Sequence, residues 1–175
     1  MAGGPLRLAL VSAALGLTGC AGSSTARLSG LGVRSPMSCV PFAAAVTGVN
    51  LPGDAWAWWE AAAGRYRRGH RPAVGAVLVF RAIARMPRGH VAVVARILSP
   101  RAILVDQANW IAGRISRDQL VVDTSPANDW SRVRVWYAPA GELGNSDYPT
   151  YGFIDPPGPP DPATVERRAL RVAGG

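Results

Sequence analysis

Ser38-Cys39-Val40-Pro41-Phe42-Ala43-Ala44-Ala45-Val46 is the stretch of this chain best suited to covalent chemistry. A cysteine opens an apolar segment, and proline follows two positions later, where a helix tolerates a missing N–H. A thiol there stands in the positive end of the helix macrodipole, which favours the nucleophilic thiolate. Unpaired backbone N–H groups of the same first turn are placed to hold an oxyanion. The segment therefore predicts a thiol of depressed pKa that is both attacker and part of its own oxyanion hole. A buried, inert cysteine is the alternative, and other residues must decide between the two.

A thiol that attacks a carbonyl needs a base. His90 opens the strand-like run His90-Val91-Ala92-Val93-Val94-Ala95-Arg96-Ile97. Ser99-Pro100-Arg101 then turns the chain into Ile103-Leu104-Val105-Asp106-Gln107-Ala108-Asn109-Trp110. Side chains two apart on a strand share a face, so His90 looks the same way as Ala92 and Val94. On the neighbouring strand Val105, Gln107 and Asn109 share a face, and Asp106 points the other way unless a bulge intervenes. With both faces turned toward the first helix, one region would hold a thiol, an imidazole and two amides. That set suits acyl transfer, in which a third group fixes the imidazole tautomer. His70, inside Arg67-Arg68-Gly69-His70-Arg71, reads as a surface loop residue. Two histidines and two cysteines are too few ligands for a metal site, and no glycine loop for phosphates is present, so no cofactor is expected.

Four ordered blocks resemble the CHAP domain, the cysteine- and histidine-dependent amidohydrolase/peptidase. They are Cys39-Val-Pro-Phe-Ala43, Gly75-Ala-Val-Leu-Val-Phe80, Gly89-His90-Val-Ala-Val-Val94 and Asp106-Gln107-Ala-Asn109-Trp110. The resemblance implies an α+β, papain-like fold, with N-terminal helices packed on an antiparallel sheet of about five strands. It implies Cys39 as nucleophile and His90 as general base and acid, acting on amide bonds in peptidoglycan peptides. Gln107 occupies the position that is commonly glutamate in the family, and Asn109 that of the asparagine two residues on. A glutamine accepts the imidazole N–H without supplying charge; Asp106 and Asn109 are the other candidates for the third member. The rival expectation is a catalytically silent CHAP module that binds peptidoglycan or a partner protein.

The elements around these residues follow from period and punctuation. Asp54 is placed to cap a second helix, Ala55–Ala63, whose three tryptophans cannot all face one way. From residue 75 the pattern is strand-like, with runs at 76–80, 90–97, 103–110, 120–122 and 133–137. Two helices followed by about five antiparallel strands is an α+β arrangement. The chain has 175 residues, a length expected of one domain. Its formal charge is +8, all 19 basic residues being arginine, which favours an anionic neighbour such as an acidic cell-wall polymer. No aromatic residues alternate with the densest cluster, Arg65 to Arg71, so nucleic acid is not expected as a partner.

At the start, Arg7 and the apolar run Leu8–Leu17 read as an export signal too short to span a bilayer. It ends in Leu17-Thr18-Gly19-Cys20, which resembles the bacterial lipobox. This predicts a signal peptide over 1–19, lipidation at Cys20, a flexible tether over 20–35, a catalytic domain over 36–140 and a Pro/Gly-rich tail over 141–175. The expected location is the cell envelope, facing the periplasm and anchored to the membrane by lipid. Lipidation of Cys20 would leave Cys39 as a lone thiol in an oxidising compartment.

Overall fold

The computed structural model describes residues 1, 32–158 and 161–174. The elements run β1 (Val33–Arg34), α1 (Cys39–Thr47), a 3₁₀ turn (Ala55–Ala57), α2 (Trp58–Ala61), β2 (Arg68–Gly69) and β3 (Val77–Phe80). They continue with β4 (His90–Ser99), β5 (Ala102–Ala108), β6 (Arg114–Asp123), β7 (Arg132–Tyr137), β8 (Glu142–Leu143), β9 (Tyr148–Ile154) and α3 (Pro162–Gly174). Every strand pairing is antiparallel, in the order β6-β5-β4-β3-β9-β7, and β7 pairs back onto β6. The result is a closed six-stranded barrel, with β1, β2 and β8 as short additions to β6, β9 and β7.

This corrects the expected α+β arrangement of helices on an open sheet of about five strands. The protein is mostly β, and its helices are short. The sixth barrel strand, β9, carries Pro149 and Gly152, residues that read as breakers because one lacks an N–H and the other lacks a side chain to pack. Gly152 sits at a register shift opposite Val79 and Phe80, where it pairs with Val79 and Thr150 with Phe80, while Pro149 faces Arg132 of β7 and accepts the Arg81 N–H at 2.9 Å. Closure removes the free edges of the sheet.

Alternation along the strands makes two cores. Leu78, Phe80, Ala92, Val94, Ile103, Val105, Val121, Val133, Val135 and Phe153 fill the barrel together with Trp130. Val77, Val79, Val91, Val93, Ala108, Ile115 and Ile154 point outward beneath Phe42, Ala43, Val46 and Trp58 of the helices and Val165 and Ala169 of α3. Because β3 and the first half of β4 are buried on both faces, their sequences are continuous apolar runs. Of the three tryptophans around α2, Trp58 is buried, Trp59 half-buried and Trp56 exposed. Among the described residues no helix is long and apolar enough to cross a membrane.

Candidate active site

Cys39 is the first residue of α1, and Ser38 precedes it in extended conformation. Ser38 gives no side-chain cap; its carbonyl accepts the Phe42 N–H at 3.2 Å. At the other end Gly48, at φ 78°, closes the helix by donating to the Ala44 carbonyl at 2.9 Å. Phe42, Ala43 and Val46 anchor α1 on the outside of the barrel, which fixes its N-terminus beside the start of β4. Cys39 is half-buried there. The backbone N–H groups of Val91, Val40 and Cys39 itself are directed at the sulfur and favour the thiolate. Burial outweighs them and raises the thiol above its ordinary pKa, with Asp54 adding a small upward push. The expected depressed pKa is thus overturned: removal from water costs the thiolate more than the helix terminus returns.

His90 is buried at the first position of β4, paired with Phe80 of β3. Its ring packs edge-on against Phe80 at 5.5 Å between centroids and tilted against Trp110 at 5.1 Å. Gly89, at φ 66°, makes this position possible. A Cβ on it would lie 2.8 Å from the Phe80 carbonyl oxygen and from Trp56, so only glycine lets β4 begin so close to the 3₁₀ turn. The His90 Nε2 is 3.0 Å from Gln107 Oε1. An amide oxygen only accepts, so Nε2 carries the proton and Nδ1 is left as the basic nitrogen. Burial lowers the His90 pKa to about 4, with the Gln107 hydrogen bond acting weakly in the other direction. The resting pair is therefore a neutral imidazole and a neutral thiol.

Parity placed His90 and Gln107 on a common face, and they do meet, but that face is the barrel interior rather than the side under α1. Cys39 reaches the same place because the helix ends at the rim of the barrel. Cys39, His90 and Asn109 line one cavity of about 560 Å³, together with Asp54, Arg85, Arg88, Trp110, Tyr137 and Tyr148. Gln107 lies behind it, wholly buried, with no partner for its Nε2 among the described residues. Asn109 has left the strand at φ 63°, and its Oδ1 accepts the Gly113 N–H at 2.9 Å. Its carbonyl thus serves the β5–β6 turn. Asp106 points to the opposite side of β5, where Oδ1 accepts the Asp118 N–H at 2.9 Å and Oδ2 faces Arg117 at 3.6 Å. A bulge does occur beside it, but the extra residue lies on β6, so the parity of β5 is kept.

His70 is exposed and packs 6.1 Å from Trp59, away from this cavity. Cys20 lies outside the described residues. Among the described residues no group of three or more His, Cys, Asp or Glu side chains is close enough to hold a metal. Asp54, read from sequence as a helix cap, makes no side-chain cap bond and lines the cavity instead. Backbone donors such as the Val91 N–H leave no mark in a sequence, and neither does the cavity wall contributed by Tyr148 of β9.

The fold and this constellation define a small β-barrel domain with a thiol, an imidazole and an amide gathered at one rim. Residues 30–109 match the family model of the CHAP domain. Domains of the family are in general hydrolases, amidases and peptidases, associated with peptidoglycan. No curated protein matches the chain.

Proposed function

We propose that this protein is a cysteine amidase or endopeptidase that cleaves an amide bond in peptidoglycan peptides. The observation that carries the reading is the oriented imidazole: His90 Nε2 bound to Gln107 Oε1, with Nδ1 free, in the cavity that Cys39 lines. Cys39 Sγ attacks the substrate carbonyl as its proton passes to His90 Nδ1. The N–H groups of Cys39 and Val40, which have no helical carbonyl partner at the start of α1 and face the sulfur at rest, receive the developing oxyanion. The imidazolium then returns the proton to the leaving amine nitrogen, the C–N bond breaks, and a Cys39 thioester remains. A water gives its proton to Nδ1 and adds to the thioester, and collapse of that second intermediate releases the acid and the free thiol. Neutral partners at rest fit this scheme, because proton transfer accompanies attack and does not precede it.

Digestion of purified sacculi, with the new termini identified by mass spectrometry, tests the reading. Soluble fragments with new amino and carboxyl ends are expected, and Cys39→Ser is expected to lower the rate by at least about 10³-fold. Sacculi that bind the protein and release nothing would leave the silent peptidoglycan-binding module instead. Attachment through Cys20 belongs to the same proposal. Cys20→Ala is expected to leave unprocessed, unlipidated precursor, and mature-length protein in that variant would remove the anchor.

A further inference from the structure

The cavity around Cys39 is electrically lopsided, with two arginines and one carboxylate among its lining residues. His90 touches Trp110 at 5.1 Å, Trp110 touches Tyr148 at 4.9 Å, and Arg85 holds its guanidinium 4.5 Å from the centre of the Tyr148 ring. These three contacts form a continuous wall leading from the imidazole to a cation. An extended peptide covers about 3.5 Å per residue, so the wall spans no more than about four residues of bound substrate.

Arg85 is oriented without being neutralised. One Nη donates to the Asp147 backbone carbonyl at 3.3 Å, and the guanidinium carbon lies over the Tyr148 ring. Both partners are uncharged, and the Asp147 carboxylate is taken by Arg134 at 2.9 Å. Arg88, from the same β3–β4 loop, is exposed, lines the cavity, and has no side-chain polar partner among the described residues. Seven other arginines, Arg67, Arg68, Arg96, Arg101, Arg117, Arg134 and Arg167, each face a carboxylate; of the described arginines that do not, Arg85 and Arg88 are the two that line this cavity. Asp54 supplies the cavity's single carboxylate and comes from the 3₁₀ side, next to Cys39.

We infer that Arg85 and Arg88 form a carboxylate-binding subsite, reached along the Trp110–Tyr148 wall, that selects peptides carrying a free acid within about four residues of the bond at Cys39. A guanidinium held over an aromatic ring by uncharged partners keeps further N–H groups for a planar anion, which arginine binds in a fork that lysine lacks. Asp54, next to Cys39, repels the same anion and so keeps the free acid away from the thiol. The inference rests on the hydrolase reading for its substrate class, peptides of the cell wall, and adds which of them the site prefers.

The test measures binding apart from turnover. Cys39→Ala protein is titrated calorimetrically with N-acetyl-L-Ala-γ-D-Glu-L-Lys-D-Ala-D-Ala, with both carboxyl groups free or both converted to carboxamides. The free acid is expected to bind at least tenfold tighter, and the preference should shrink between 50 and 500 mM salt. Adding Arg85→Ala and Arg88→Ala should bring the acid down to the level of the amide. Arg88→Glu, a change at an exposed loop position, should reverse the order, which a mere loss of folding would not do. Equal affinities for the two peptides, binding of neither, or a preference that survives the double substitution would overturn the subsite. Digested sacculi together with equal affinities would retain the hydrolase and discard the subsite. Intact sacculi together with a clear preference for the acid would do the reverse.

Discussion

At Gln107 the side chain uses one end of its amide and leaves the other idle. Oε1 accepts from His90, while Nε2 is buried without a partner among the described residues. Gln107→Ala removes the group that sets the tautomer, at a cost of about 1–3 kcal/mol, or roughly five- to a hundred-fold in rate. The loss is expected in kcat more than in KM, because the interaction matters most when the imidazole is charged. Gln107→Glu exchanges the idle donor for an acceptor and places a negative charge beside the ring. It should raise the His90 pKa from about 4 and move the acid limb of the kcat/KM profile to higher pH. A limb that stays in place would show that Gln107 does not govern the imidazole. At Cys39, burial sets the opposite expectation to the helix dipole. Iodoacetamide should react with the thiol along a curve whose midpoint lies above that of a model cysteine. A midpoint below pH 8 would show an ion pair already formed at rest.

At the scale of elements, β9 supports the site although it carries none of its reacting groups. It pairs with β3 on one side and β7 on the other, and its first residue, Tyr148, stands on the cavity wall. Gly152 lets β2 and Trp59 lie against this strand. Its φ is 127°, and a Cβ would meet the Gly69 carbonyl oxygen at 2.5 Å and the Trp59 ring at 3.2 Å. Gly152→Ala therefore combines a forbidden backbone with a clash against main chain, and should cost about 3 kcal/mol or more. Thermal denaturation should show a fall in Tm of roughly 10 °C. An unchanged Tm would mean that β2 and Trp59 do not pack against β9 as described. On the outer face, α3 presses Val165 and Ala169 into the core shared with α1, and Arg168 donates to the Val46 carbonyl at 3.3 Å. The helix that carries the thiol is thus clasped between the barrel and the C-terminal helix.

For the whole molecule, two buried groups push stability in opposite directions over the same pH range. Burial raises Asp106 from 3.8 to about 6, so the folded state holds this proton more tightly than the unfolded chain. Its contribution is greatest below about pH 4 and is lost as pH rises to about 6, on the order of 3 kcal/mol. His90 is lowered from 6.5 to about 4, so its contribution is complete above 6.5 and is lost as pH falls to about 4. The two slopes nearly cancel. Asp106→Asn keeps the oxygen that accepts the Asp118 N–H and removes one slope. Relative to the parent, its Tm should climb between about pH 4 and 6. A difference that does not vary with pH would show that Asp106 ionises normally.

Much of the site was legible from the chain alone. The apolar run behind Cys39, the strand parity of His90 and Gln107, and the opposite parity of Asp106 are local properties with periods of 3.6 and 2, which backbone geometry imposes wherever such strands form. Tertiary structure decided the rest. Which face of the sheet would turn inward depended on closure, and closure depended on β9, whose Pro149 and Gly152 hide a strand from any reading of pattern. The ionisation of Cys39 and His90 depended on how much of each the packed neighbours remove from water. Burial is a sum over residues distant in sequence, and it outweighed the dipole of the one helix that the sequence announced. The wall from His90 through Trp110 and Tyr148 to Arg85 likewise exists only once β9 stands beside β3, because no spacing along the chain relates residues 85, 90, 110 and 148.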